Sequence, residues 1–331
     1  MTTARQKSSV SGFCVYLCAC ILIISEAAIC EPLPEGSVGI ASRYPGDVGI
    51  QADSAVLFSD DFESYGSAAD ISSRWNQVFH LNNIRIATES ANVFNGKRSV
   101  ELALPIQNSE VSNNLIKAIS PERDALFFRY YAKYDVNFSL LGSSHNGSSI
   151  SGHYCCPGVP ADGYNKFLVS LEAGRDDSAI ESPGFLNIYI YHPDQRDIWG
   201  DHFFPTGRVV PFDRVPGDFG PDFVPRPDVI PTLGRWYSYE MMVRLNTPGA
   251  RDGRIAIWMD GQIVADFPNL RFRETSSLRI DQVTLDLHAR ANSSAVARKW
   301  YDNVVVATSY IGPITEQNGV RPKPPTNLGV N

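Results

Sequence analysis

Four of the six cysteines, Cys14, Cys18, Cys20 and Cys30, crowd into the first thirty residues, so the rest of this 331-residue chain holds only the neighbours Cys155 and Cys156. A disulfide-built fold is thereby excluded, and a domain of about 250 residues buries an adequate core without staples. The adjacent pair reads as two loop thiols, free or bonded to each other, because a metal site needs more ligands. Positive charge is also scarce: 29 Lys and Arg face 36 Asp and Glu, for a net charge of −7, and no basic stripe occurs. Phosphate-backbone binding depends on clustered cations, so nucleic acid is not an expected partner.

Long hydrophobic runs are missing too. The apolar stretch from Gly12 to Ser25 falls short of the about 20 residues that a spanning helix needs, so no membrane span is expected. Preceded by Arg5 and Lys7 and followed by Ala27, it reads as a secretory signal over residues 1–27, which makes the protein secreted, extracellular or periplasmic. A lipoprotein reading on Leu17-Cys18-Ala19-Cys20 is weaker, since an apolar stub from Ile21 to Ile24 would follow the cut. Helical periodicity is the last absence: between Val56 and Ile314 none persists beyond two turns.

What is present instead is short period-two segments rich in β-branched and aromatic residues, bounded by Gly, Pro, Asn and Asp. Strands are expected at 55–58, 78–80, 84–87, 99–104, 115–119, 124–136, 165–172, 185–192, 236–245, 254–259, 262–267, 280–288 and 299–306. So many strands demand an all-β fold of two packed antiparallel sheets, a jelly-roll sandwich over residues 55–314. Asp252-Gly253 and Asp260-Gly261 signal hairpin turns. Residues 28–54, Gly-, Pro- and Ser-rich without periodicity, read as a linker, and 315–331 as a disordered tail. Between 193 and 231 eight prolines alternate with Trp199, Phe203, Phe204, Phe212, Phe219 and Phe223. That stretch is no central strand and is expected to fold over a face or rim of the sandwich.

The block Gly234-Arg-Trp236-Tyr-Ser-Tyr-Glu240, continuing through Asn246, Asp252-Gly253 and Trp258 to Asp260-Gly261, resembles a recurring stretch of concanavalin A-like jelly rolls. It is most similar to the family-14 polysaccharide lyases. Phe58-Ser-Asp60-Asp61-Phe62-Glu63 resembles the opening strand of laminin G-like sandwiches, and the run from Tyr301-Asp302-Asn303 to Pro313 their closing strand. The resemblance implies a uronate polysaccharide as substrate, cleaved by β-elimination from a concave sheet. Two segments depart from the family pattern: 137–145, where those lyases often carry a Lys-Leu-Pro-Gly-Leu-like strand, and 284–290, in place of a Phe-Phe-Gly-Gly-like one.

Such chemistry needs a cation for the carboxylate, a base for the C5 proton and an acid for the leaving oxygen. Alternation puts Arg129, Tyr131 and Lys133 on one face of their strand, Lys166, Ser170 and Glu172 on one face of the next, and Asn187, Tyr189 and Tyr191 on one face of a third. Joined in one groove, these give candidate catalytic residues Tyr189, Tyr191, Lys133 and Arg129 and candidate substrate contacts Tyr131, Lys166, Ser170 and Asn187. His153, His192, His202 and His288 are candidate bases, with His153 and His192 favoured by position. The bland reading is an ordinary polar sheet face.

No Glu-x-Asp-x-x-Glu strand or Gly-x-Ser-x-Gly elbow is present, which demotes glycosidase and serine-hydrolase chemistry. No metal is required for catalysis and no cofactor is expected, although Asp60, Asp61 or Asp302 could ligate a structural calcium. A monomer is expected. Asn137, Asn146 and Asn292 head glycosylation sequons. Two other classes stay open: a non-catalytic carbohydrate-binding or adhesion module of laminin G type, and a structural envelope protein.

Overall fold

The computed structural model describes residues 1–2, 32–142, 144–211, 216–292 and 295–316. Its strands are β1 (Val56–Asp60), β2 (Gln77–Phe79), β3 (Ile84–Ala87), β4 (Ser99–Leu104), β5 (Val111–Arg123), β6 (Ala125–Tyr134), β7 (Ser144–His145), β8 (Ser148–Gly152) and β9 (Phe167–Gly174). They continue with β10 (Phe185–Tyr191), β11 (Asp201–Phe203), β12 (Val209–Val210), β13 (Tyr237–Arg244), β14 (Gly253–Met259), β15 (Gln262–Leu270), β16 (Ile280–Ala289) and β17 (Ala297–Ala307). All thirteen expected strands are there, with ends shifted by a few residues; the expected signal and lipobox lie outside the described residues.

Among the described residues the strands form two sheets. One runs β15-β14-β13-β6-β17-β4-β3 with β1 beside β17; the other runs β12-β11-β10-β9-β8-β16-β5-β2 with β7 beside β16. Every pairing is antiparallel, as a jelly-roll sandwich requires. Period-two alternation explains the core: Leu126, Phe128 and Tyr130 of β6 meet Val169 and Leu171 of β9, Ile188 and Ile190 of β10 and Leu285 of β16 between the sheets. Each such large side chain contributes about 1.5–3 kcal/mol by leaving water.

Asp260 and Gly261 both take positive φ (51° and 79°), the expected primed turn between β14 and β15. The β13–β14 connection differs from expectation: its left-handed residue is Gly249 (φ 80°), not Gly253.

The expected linker is corrected over residues 33–53, which pack onto the first sheet. Ile40, Ala41 and Ile50 bury against Val305, Ala307 and Ile311, and Trp258 Nε1 donates to the Pro34 carbonyl at 2.7 Å. Gly39 permits this closeness, since a Cβ there would sit 2.3 Å from the Ile311 oxygen. The Pro-rich stretch supplies β11 and β12 to the second sheet's edge, and its Phe203, Phe219 and Phe223 pack on Phe267. Phe212 and the tail beyond Glu316 lie outside the described residues. Asn146 and Asn292 are buried (0% and 4% exposed), so neither sequon is accessible in the folded chain.

Candidate functional site

The topology divides the expected groove. Strand β6 lies between β13 and β17 in the first sheet, whereas β9 and β10 are neighbours in the second. Arg129, Tyr131 and Lys133 do share a face, but it is the outer face of the first sheet, and it is covered. Arg129 is fully buried in an ion pair with Asp47, the Tyr131 hydroxyl accepts from Ile314 N–H at 2.8 Å, and Lys133 donates to Ala91 and Asn92 oxygens. None of the three meets Tyr189.

The favoured histidines are corrected as well. His192 is buried, with Nε2 2.9 Å from Asp201 and its ring against Phe203. His153 sits in the β8–β9 connection, where its Nε2 lies 3.2 Å from Glu122.

Tyr189, Tyr191, Asn187 and Ser170 do come together on the outer face of the second sheet. Register sets Tyr189 opposite Ser170 on one side and His202 on the other, and Asn187 opposite Glu172. On the next strands His145 stands opposite His288. The resulting cluster centres on Tyr189, whose ring lies 4.7 Å from that of His145 and 4.9 Å from that of His202. Glu172 ties both imidazoles: Nδ1 of His145 is 2.7 Å from one carboxylate oxygen and Nδ1 of His202 is 3.5 Å from the other. His202 Nδ1 also meets Asn187 Oδ1 at 2.9 Å, and the His288 ring stacks on His145 at 5.2 Å. His145 and His202 are the open members, with side chains 26% and 33% exposed, while Glu172 is 2% exposed.

Two glycines make the cluster possible. A Cβ at Gly147 would meet the Leu171 oxygen at 1.7 Å, so only glycine lets the strand after His145 press onto β9. Likewise a Cβ at Gly200 would fall 2.4 Å from the Ile190 oxygen; without it, the Gly200 N–H reaches the Tyr189 hydroxyl at 3.0 Å. From behind, the buried Lys299 supports the same strand. It lies in a cage of Tyr134, Tyr239 and Tyr301 rings and donates to the Asn146 carbonyl.

Lys166 is a wall rather than an open contact: buried, it donates to the Cys155 and Cys156 carbonyls at 2.8 and 2.7 Å and lies over the Tyr191 ring. Tyr191 accepts from Gly158 N–H at 3.2 Å.

The surroundings push the titrating groups apart, which is how acid and base roles are separated. Burial holds the Tyr189 phenol well above its ordinary value, keeping it protonated. Burial lowers His202 despite Glu172, leaving a neutral imidazole. At His145 burial also acts downward, but Glu172, Asp286 and Glu110 together outweigh it and the value is raised. Asp286, two residues before His288 on β16, is pushed up to about 7, chiefly by burial. The face thus offers a held phenol proton, one imidazole biased toward its neutral form and one biased toward protonation within one small area.

The sequence reading did not single out His145 and favoured His153 and His192 over His202 and His288, the two that lie in this cluster. Strands β7 and β8 pair with β16 in one continuous register, but Ser144-His-Asn-Gly-Ser148 lacks β-branched residues and so carries no strand signal. Among the described residues no three His, Cys, Asp or Glu side chains gather to hold a metal ion. The expected calcium ligands Asp60 and Asp302 are engaged by protein donors: Asp60 by Tyr65, Trp75 and Phe62, Asp302 by the Phe94, Asn95 and Asn303 amides.

The profile of the family polysaccharide lyase 14 matches residues 224–288. The chain resembles the family-14 polysaccharide lyases. No curated protein matches it. Among solved structures, alginate lyase Aly36B is similar at 18% identity and a TM-score of 0.55, over 77% of this chain and 98% of that one. The PL-14 alginate lyase from Aplysia kurodai follows at 15% identity and 0.52 (77% and 100% covered), and the endo-β-1,4-glucuronan lyase from Trichoderma reesei at 15% and 0.50 (77% and 96%). At these identities the likeness shows the lyase-type jelly-roll fold. Among the described residues no helix is long and apolar enough to cross a membrane.

Proposed function

We propose that this protein is a polysaccharide lyase that cleaves a uronate-containing polymer by β-elimination at the Tyr189–His145–His202–Glu172 cluster. The carrying observation is Tyr189 set between two partly open imidazoles that share one buried carboxylate. In this reading neutral His202 takes the C5 proton, the protonated Tyr189 hydroxyl gives a proton to the leaving oxygen, and the His145 imidazolium, with His288 beside it, faces the uronate carboxylate. Alginate and glucuronan are the first polymers to try, because they are substrates named for the similar structures. The leading apolar run, in this reading, exports the chain to where such polymers occur.

Binding without cleavage is the second reading. It is favoured by the burial of Tyr189, 6% exposed with its hydroxyl already accepting from Gly200 N–H, which limits its access to a leaving oxygen but not the binding of a polymer on the face. Ultraviolet absorbance of the unsaturated uronate product, followed with alginate, glucuronan and pectate, separates the two. A rise lost in Tyr189→Phe supports the lyase; retention on immobilised polymer with no rise supports the binding module.

A further inference from the structure

Beside the cluster, residues 153–165 form a loop that reaches Tyr191 through Gly158 and through Lys166 beneath it. Cys156 Sγ lies 2.6 Å from Cys155 Sγ, and both side chains are exposed. Cys156 takes a left-handed backbone (φ 58°), a conformation a non-glycine residue holds only when its surroundings impose it. Lys166 is buried beneath the loop with its ammonium on both cysteine carbonyls. That ammonium lies 4.5 Å from the Tyr191 ring centre and 5.1 Å from that of Tyr154. Two residues past the cysteines, Gly158 N–H donates to the Tyr191 hydroxyl.

We propose that Cys155 and Cys156 are a dithiol modification site that a small-molecule disulfide converts into a ring disulfide, altering the hold of Lys166 and Gly158 on Tyr191. One thiolate attacks the reagent disulfide, forming a mixed disulfide and releasing one reagent thiol. The neighbouring sulfur then displaces the second reagent thiol and forms the Sγ–Sγ bond. Two electrons pass from the protein sulfurs to the reagent, and the two protons end on its two thiols. The ring so formed contains the Cys155–Cys156 peptide, and the Cys155 carbonyl oxygen is one of the two that Lys166 holds. Closing the ring therefore acts directly on the contact that seats Lys166 over Tyr191. A hydrogen bond to a charged group is worth enough to change kcat/KM by about tenfold.

The test treats the full chain with oxidised or reduced glutathione, alkylates free thiols, and reads the 155–156 peptide by mass and the amide exchange of residues 154–166. The expected result is a peptide two hydrogens lighter and unalkylated after oxidation, with changed exchange at Gly158 and with a Cys155→Ser/Cys156→Ser variant indifferent to the treatment. Glutathione left on a cysteine, both thiols still alkylated, or a closed ring with unchanged exchange overturns the proposal. The activity effect rests on the lyase reading, but these readouts do not. Altered exchange with no polymer cleaved in either state sinks that reading and leaves the modification site standing.

Discussion

Glu172→Gln is the substitution that probes the cluster most sharply. The glutamine keeps the shape of a side chain that is 2% exposed, and it removes the charge shared by His145 at 2.7 Å and His202 at 3.5 Å. Burial by itself lowers His145, and Glu172 leads the groups that reverse this, so without the carboxylate His145 should fall from its raised position. A hydrogen bond between charged partners is worth about 1.5–3 kcal/mol, which corresponds to a loss of about 10- to 100-fold in kcat/KM near neutral pH. The pH profile changes in a definite way. Activity needs His145 protonated and His202 neutral, so the native limbs bracket 6.5: the acid limb falls below it with the lowered His202, and the alkaline limb above it with the raised His145. In the variant the alkaline limb moves to lower pH. Initial rates of product absorbance between about pH 5 and pH 9, with melting curves to confirm folding, read this out. A variant with native rates and a native alkaline limb would refute the reasoning.

Tyr189→Phe removes the proposed acid and should lower kcat by about 100-fold or more while polymer retention persists, since general acid catalysis supplies that much; near-native kcat contradicts the assignment. Arg129→Leu should leave activity per folded molecule unchanged, because Arg129 lies in the other sheet. It strands the Asp47 carboxylate, at a cost of about 3–5 kcal/mol, or roughly 10 °C in Tm. Lost activity at native Tm would return Arg129 to the site. Asp286→Asn tests burial. The native carboxyl holds its proton up to about 7, whereas the unfolded one releases it near 3.8. Between these values the folded state binds the extra proton, so stability falls as pH rises through that window. The variant's Tm should decline less between about pH 5 and pH 8; parallel Tm curves would contradict this.

The fold was legible because period-two alternation survives wherever Val, Ile, Tyr and Phe alternate with polar residues, as in β6, β10 and β16. Strands β7, β8, β11 and β12 were not, being short and built from Ser, Gly, Asn and a Pro-rich stretch. The site was half legible for a related reason. Alternation tells which residues of one strand share a face, and Tyr189 with Tyr191, or Arg129 with Lys133, were read correctly in that sense. It does not tell which sheet receives the strand. The sheet order places β6 beside β13 and β17, so a cationic face that seemed continuous with β9 and β10 belongs to the opposite side of the sandwich. There Asp47 covers Arg129, Ile314 meets Tyr131 and Ala91 and Asn92 meet Lys133, and the 33–53 segment that brings Asp47 rests on three single-turn helices and Gly39 rather than on any periodic pattern.

The most direct test of the account is absorbance of unsaturated uronate after mixing the protein with alginate, glucuronan and pectate, run in parallel on Tyr189→Phe and Lys133→Ala. The expected result is a rise with at least one polymer that disappears in Tyr189→Phe and persists in Lys133→Ala. No rise with any of them, or a rise that survives in Tyr189→Phe and vanishes in Lys133→Ala, would contradict it.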